Sequence, residues 1–197
     1  MEIQPGTVFK EIQPGTVLGF WFGEPRGKPR AEWFRKDEKF DAEIRSRFGE
    51  VHAQAARGEL EDWRRERESM LALIVVLDQF SRNLYRNDPR AFAQDAHALA
   101  CAREALGRGD DALSLPVERQ FLYLPFEHSE DAADQALCVR LMSQLEGFEE
   151  TRGLTEWAVK HQVIVDRFGR FPHRNALLGR ASTPEEVEFL KQPGSGF

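Results

Sequence analysis

With 197 residues, 41% of them hydrophobic and 30% charged, the chain has the size and composition of one folded domain and is excluded from the disordered class. A net charge of -6 excludes a nonspecific nucleic-acid binder, and the isolated Cys101 and Cys138 exclude a disulfide framework or a CxxC site. No apolar run reaches the ~20 residues of a membrane span, and no basic start precedes an apolar stretch at the N-terminus, so the chain reads as soluble and cytoplasmic.

Glu2–Val8 recurs as Glu11–Val17, each copy carrying Pro-Gly, a nine-residue period too short for a solenoid unit. Residues 1–16 therefore read as a duplicated N-terminal arm and 17–197 as one helical domain. Leu18, Phe20, Trp21 and Phe22 form an apolar segment closed by Gly23 and Pro25. Phe34, Phe40, Ile44, Phe48 and Val51 follow at helical spacing until Gly58. Met70–Leu77 is apolar on every side and continues helically through Phe80, Leu84 and Tyr85, which predicts a fully buried helix. Asp88-Pro89 should cap the next helix, which runs to Gly107 and Gly109. Pro116 opens a short helix that Pro125 is expected to close, and Asp131 begins another through Leu145. Leu154–Phe168 repeats the pattern, and Ser182-Thr183-Pro184-Glu185-Glu186 is a capping box with proline at the first helical position. No segment alternates with a period of two. The fold class is all-α, with antiparallel neighbouring helices.

Three segments place polar groups where the pattern expects a core. Asp78, Gln79, Arg82, Asn83 and Arg86 extend the buried helix, with Asp78 and Arg82 one turn apart. Glu118-Arg119 leads into an aromatic run ending at His128-Ser129-Glu130-Asp131. The third segment holds Asp166, Arg167, Arg170, His173, Arg174 and Asn175, with His161 on the preceding helix. Desolvating an arginine or a carboxylate costs several kcal/mol unless it is paired, so such residues serve either a structural ion-pair network or a ligand site. The third segment has more guanidinium than carboxylate, which suits bidentate capture of a carboxylate or phosphate. Ser129 or Asp131 is expected to cap the following helix. A Ser–His–acid triad lacks its Gly-x-Ser-x-Gly elbow, and the histidines lack metal-ligand spacing, so no metal and no cofactor are expected. His52 and His97 read as surface residues.

The strings Leu18-Gly19-Phe20-Trp21-Phe22-Gly23, Leu77-Asp78-Gln79-Phe80-Ser81-Arg82-Asn83, Tyr123-Leu124-Pro125 with His128-Ser129-Glu130, and Arg167-Phe168-Gly169-Arg170-Phe171-Pro172-His173-Arg174-Asn175 resemble, in this order, the bacterial family catalogued as domain of unknown function 924. The resemblance runs from about residue 17 to the C-terminus and implies a helical fold of the tetratricopeptide-like type, with no established activity. The chain departs from that family's usual residues at Ser81, Asn87 and Glu127, where proline, glycine and an apolar residue are commoner.

The expected function is a pocket for a small anionic metabolite, either carboxylate or phosphate. Arg82, Arg119, Arg167, Arg170 and Arg174 would supply charge, and Asp78, Gln79, Asn83, His128, His173 and Asn175 would complete the lining. One rival is an enzyme using His128 or His173 for acid–base chemistry beside Glu130 or Asp78. Another is a tetratricopeptide-like module that holds a protein partner in a groove. Neither nucleic acid nor membrane is expected as a partner.

Overall fold

The computed structural model describes residues 12–196, and the first copy of the duplicated heptapeptide lies outside them. The second copy does not remain an arm. Helix α1 (Pro14–Phe22) begins inside it, with Pro14 in the first turn, and buries Val17, Leu18, Trp21 and Phe22. It stops at Gly23, whose φ of 75° lies in the region that favours glycine. Asp37 starts α2 (Glu38–Ala56) by accepting the amides of Lys39 and Phe40 at 2.9 and 3.1 Å. Phe40, Ile44, Phe48, Val51 and Ala55 then form its buried stripe.

The apolar run forms α3 (Arg67–Ile74), which passes without a break into a π-helical turn (Val75–Phe80) and then α4 (Ser81–Leu84). Every residue of the π turn is buried. This rod is the centre of the fold: α1, α2, α5 (Asp95–Arg108) and α6 (Pro116–Glu127) all pack on it. Its aromatic neighbours interlock, Trp21 stacking on Trp33 with centroids 6.1 Å apart and meeting Phe121 edge-on at 5.5 Å. Beyond α6, α7 (Ala132–Ser143) and α8 (Leu154–Phe168) pack in sequence, and α9 (Pro184–Leu190) closes the chain. The described residues contain helices and turns and no strand. Successive helices packing on one another are compatible with a tetratricopeptide-like arrangement.

Three local expectations need correction. Pro125 does not end α6; it sits in the last turn, where its missing N–H forfeits one helical bond, and the helix runs on to Glu127. Asp88 does cap with its side chain, but the residues it caps form a 3-10 turn (Pro89–Phe92) before α5 begins at Asp95. His52 is buried, its Nε2 2.7 Å from the Ser81 hydroxyl, because α2 lies directly over the central rod.

Candidate functional site

The π turn, the start of α5, the end of α6 and the turn from Phe171 to Arg180 bring charged side chains from four stretches of chain to one place. Asp78 is at its centre and is 1% exposed. Its carboxylate accepts from Gln79 Nε2 at 2.6 Å, His128 Nδ1 at 2.7 Å and Arg82 Nη1 at 3.0 Å. Burial works to raise the Asp78 carboxyl, but the Arg82 charge and the contacts with His128 and Gln79 outweigh it and hold the group well below the usual carboxylate range. Arg82 also donates to the Asp78 carbonyl at 2.8 Å and makes a two-pronged contact with Asp95, at 3.0 and 3.2 Å.

His128 ends α6, where it can meet the π turn from the side. Burial, and then the Arg82 charge, push its imidazole below its ordinary value against the pull of Asp78. The ring is therefore neutral near pH 7 and donates Nδ1–H to Asp78, which leaves Nε2 as the basic nitrogen. Its side chain is 14% exposed, so this edge of the cluster is not sealed.

Arg174 is the least satisfied charge. It is 6% exposed, its Nη1 reaches Asp95 at 3.3 Å, and its Nε has no partner. Asp95 is its one acidic partner among the described residues, and Asp95 already holds Arg82. The Arg174 guanidinium lies 4.7 Å from the Phe92 ring centre and 4.5 Å from that of Phe171. Burial, reinforced by the Arg82 charge, brings its pKa down to about 10. Beside it, Glu130 accepts the Phe171 amide at 2.8 Å and a fork from Arg180 at 2.6 and 2.9 Å. The His173 imidazole is pushed down to about 4 by burial and the Arg174 charge.

Behind this cluster lies Glu127, 5% exposed. Burial, together with the Asp78 charge, raises its carboxyl to about 8, so it is mostly protonated at neutral pH. His161 Nδ1 lies 3.5 Å from it and donates to the Trp157 carbonyl at 2.9 Å; burial pushes this imidazole down to about 3.

The structure brings together Asp78, Gln79, Arg82, His128, Glu130, His173 and Arg174. Four other candidates lie elsewhere. Asn83 faces the opposite side and donates to Asp41 at 2.7 Å. Arg119 pairs with Tyr123 and Gln144 farther back along α6. Arg167 forms a fork with Glu185 at the surface, and Arg170 another with Glu186. Asn175 is adjacent but structural, since it binds Ser182, Glu186 and Arg180 and so fastens the 175–186 loop. Pro172–Arg174 form a single 3-10 turn.

Asp95, Arg180 and the rings of Phe92 and Phe171 complete the cluster without having been expected there. An acid in a first helical turn and an arginine after a glycine look the same in sequence whether exposed or not. Two surface depressions lie away from it, one of about 410 Å³ beside Phe20, Arg30 and Lys39, the other of about 250 Å³ beside His52, Tyr85 and Arg90. Among the described residues no group of three or more His, Cys, Asp and Glu side chains could hold a metal ion, and no helix is long and apolar enough to cross a membrane.

The family described as bacterial protein of unknown function (DUF924) matches residues 17–194. A solved structure of a protein of unknown function from Agrobacterium tumefaciens, ATU0120, is 41% identical, with a TM-score of 0.81 over 90% of this chain and 96% of that one. No functionally curated protein matches.

Proposed function

The chain belongs to the DUF924 family of bacterial proteins of unknown function, and we propose that its Asp78–His128–Arg174 cluster is a pocket for a small anionic metabolite, a carboxylate or a phosphate. One observation carries this reading: Arg174 is buried with a single long ionic contact and an unpartnered Nε. A guanidinium serving only structure would be expected to have its donors filled, because an unmet buried donor costs ~1–3 kcal/mol and more when charged. Arg82 supplies the second charge, and Gln79 orients Asp78. The partly exposed edges of Arg82, Asp95 and His128 mark the side from which a ligand would come. The π turn supports the same conclusion, since such bulges occur frequently at functional sites.

Calorimetric titration with acetate and with inorganic phosphate, on the wild type and on Arg174→Met, tests the proposal. Saturable binding that the variant loses is expected. Silence from both anions, or equal binding by the variant, would overturn it.

A second reading draws on the Asp78–His128 hydrogen bond at 2.7 Å. A buried carboxylate that fixes the imidazole tautomer leaves Nε2 placed as a general base or acid, as in acyl-transfer sites. If the bound molecule is also turned over, His128→Asn should abolish turnover while retaining measurable binding. The inward facing of Asp78 and Arg174 speaks against a peptide groove at these residues.

A further inference from the structure

Building on the anion site proposed above, we infer that its ligand is a monocarboxylate taken up together with one proton, which settles on His128. Arg82, Arg174 and Arg180 face Asp78, Asp95 and Glu130, three cations against three anions joined by the contacts already described. With the imidazoles neutral and Glu127 protonated, the cluster has no net charge. A carboxylate entering alone would leave one negative charge uncompensated in a buried setting, a cost of several kcal/mol. A phosphate dianion would leave two.

The proton needs an acceptor, and the surroundings select His128. Asp78 and Gln79 face it from the π turn, Arg82 from α4, Asp95 from α5 and His161 from α8. Arg82 opposes its protonation while Asp78 and Asp95 favour it. An imidazolium at this position keeps its Nδ1–H bond to Asp78, so the new charge arrives already paired. His161 is a poor rival because its Nδ1 is committed to the Trp157 carbonyl, and His173 lies under the Arg174 charge.

The Arg174 Cζ lies over the Phe92 and Phe171 rings, 4.7 and 4.5 Å from their centres. The donor without a partner, Nε, points its N–H in the plane of the guanidinium. A planar two-oxygen acceptor matches an in-plane fork, whereas a tetrahedral phosphate needs donors on more sides.

The test is calorimetry of the intact protein with sodium acetate, benzoate and inorganic phosphate, each in two buffers of different ionisation enthalpy. Carboxylate binding with uptake of about one proton is expected, its Kd rising roughly tenfold per pH unit above the free-protein pKa of His128. His128→Asn, checked for folding by circular dichroism, should lose the uptake. Phosphate binding without carboxylate binding would overturn this inference and leave the anion site standing. So would carboxylate binding with no proton taken, or uptake that survives in the variant. If no anion binds the wild type, the parent reading fails and this one with it.

Discussion

Asp95 and Arg174 form one ion pair, yet removing Asp95 should cost more than removing Arg174. Replacing Asp95 with asparagine keeps the shape but leaves two guanidiniums sharing a neutral amide. Arg82 would still have Asp78 at 3.0 Å, but Arg174 would lose the acid it touches and remain 6% exposed beside two phenyl rings. Breaking a buried pair in this way costs ~3–5 kcal/mol. The lower end applies here, because the Arg174 contact is long and Asp95 is partly exposed. A loss of about 3 kcal/mol corresponds to a fall in melting temperature of roughly 6–12 °C for a chain of this size. Arg174→Met removes the under-paired cation instead and leaves Asp95 held by the fork from Arg82. The variant forfeits two ring contacts, worth ~0.5–2 kcal/mol each, and escapes a desolvation cost of several kcal/mol. Its melting temperature should therefore fall by less than that of Asp95→Asn, because the negative charge left over falls on the partly exposed Asp95. Differential scanning calorimetry of both variants decides the matter. If Arg174→Met melts as low as Asp95→Asn, Arg174 holds the fold together and is not a charge kept for a ligand.

Three further outcomes can be checked independently. The Glu127 carboxyl, raised to about 8 in the folded chain, binds more protons folded than unfolded between about pH 4.5 and 8, so it lowers stability as pH rises through that window. Glu127→Gln should therefore gain on the wild type by up to about 1.4 kcal/mol per pH unit, read from urea midpoints at pH 5, 6.5 and 8, and parallel curves would refute this. Arg170→Ala should leave anion binding by titration unchanged, because Arg170 is engaged with Glu186 at 2.7 and 2.8 Å; a weakened affinity would mean that the site extends farther than described. Gly49 sits inside α2, and a Cβ there would meet nothing within 4 Å, so Gly49→Ala should stabilise the protein by about 1 kcal/mol in urea unfolding; destabilisation would show that the position is not free.

What could be read from the sequence followed the range of the interactions involved. Asp131 and the Thr183–Glu186 capping box act within a few residues, and the structure contains both. Asn87, where the resemblance implies glycine, adopts a φ of 61°, a conformation most side chains avoid. Asp78, Arg82 and His128 stood out because charged groups interrupt an otherwise apolar pattern. Contacts across long stretches left no such trace. Asp95 joins Arg174 across 79 residues and Arg180 joins Glu130 across 50, and neither Asp95 nor Arg180 differs locally from a surface residue. Arg167 and Arg170 misled for the same reason, because α9 folds back and offers them Glu185 and Glu186. The π turn carries no signature at all, since the apolar run that leads into it fits either helical period.

The most direct measurement is heteronuclear NMR of the imidazole and guanidinium nitrogens as acetate is added. In the free protein at neutral pH, His128 should show the Nδ1–H tautomer; at saturation its ring should become the imidazolium while the Nε–H signal of Arg174 shifts in step, His52 staying unchanged. A His128 that carries its proton on Nε2, or rings and guanidiniums that ignore the anion, would contradict the account.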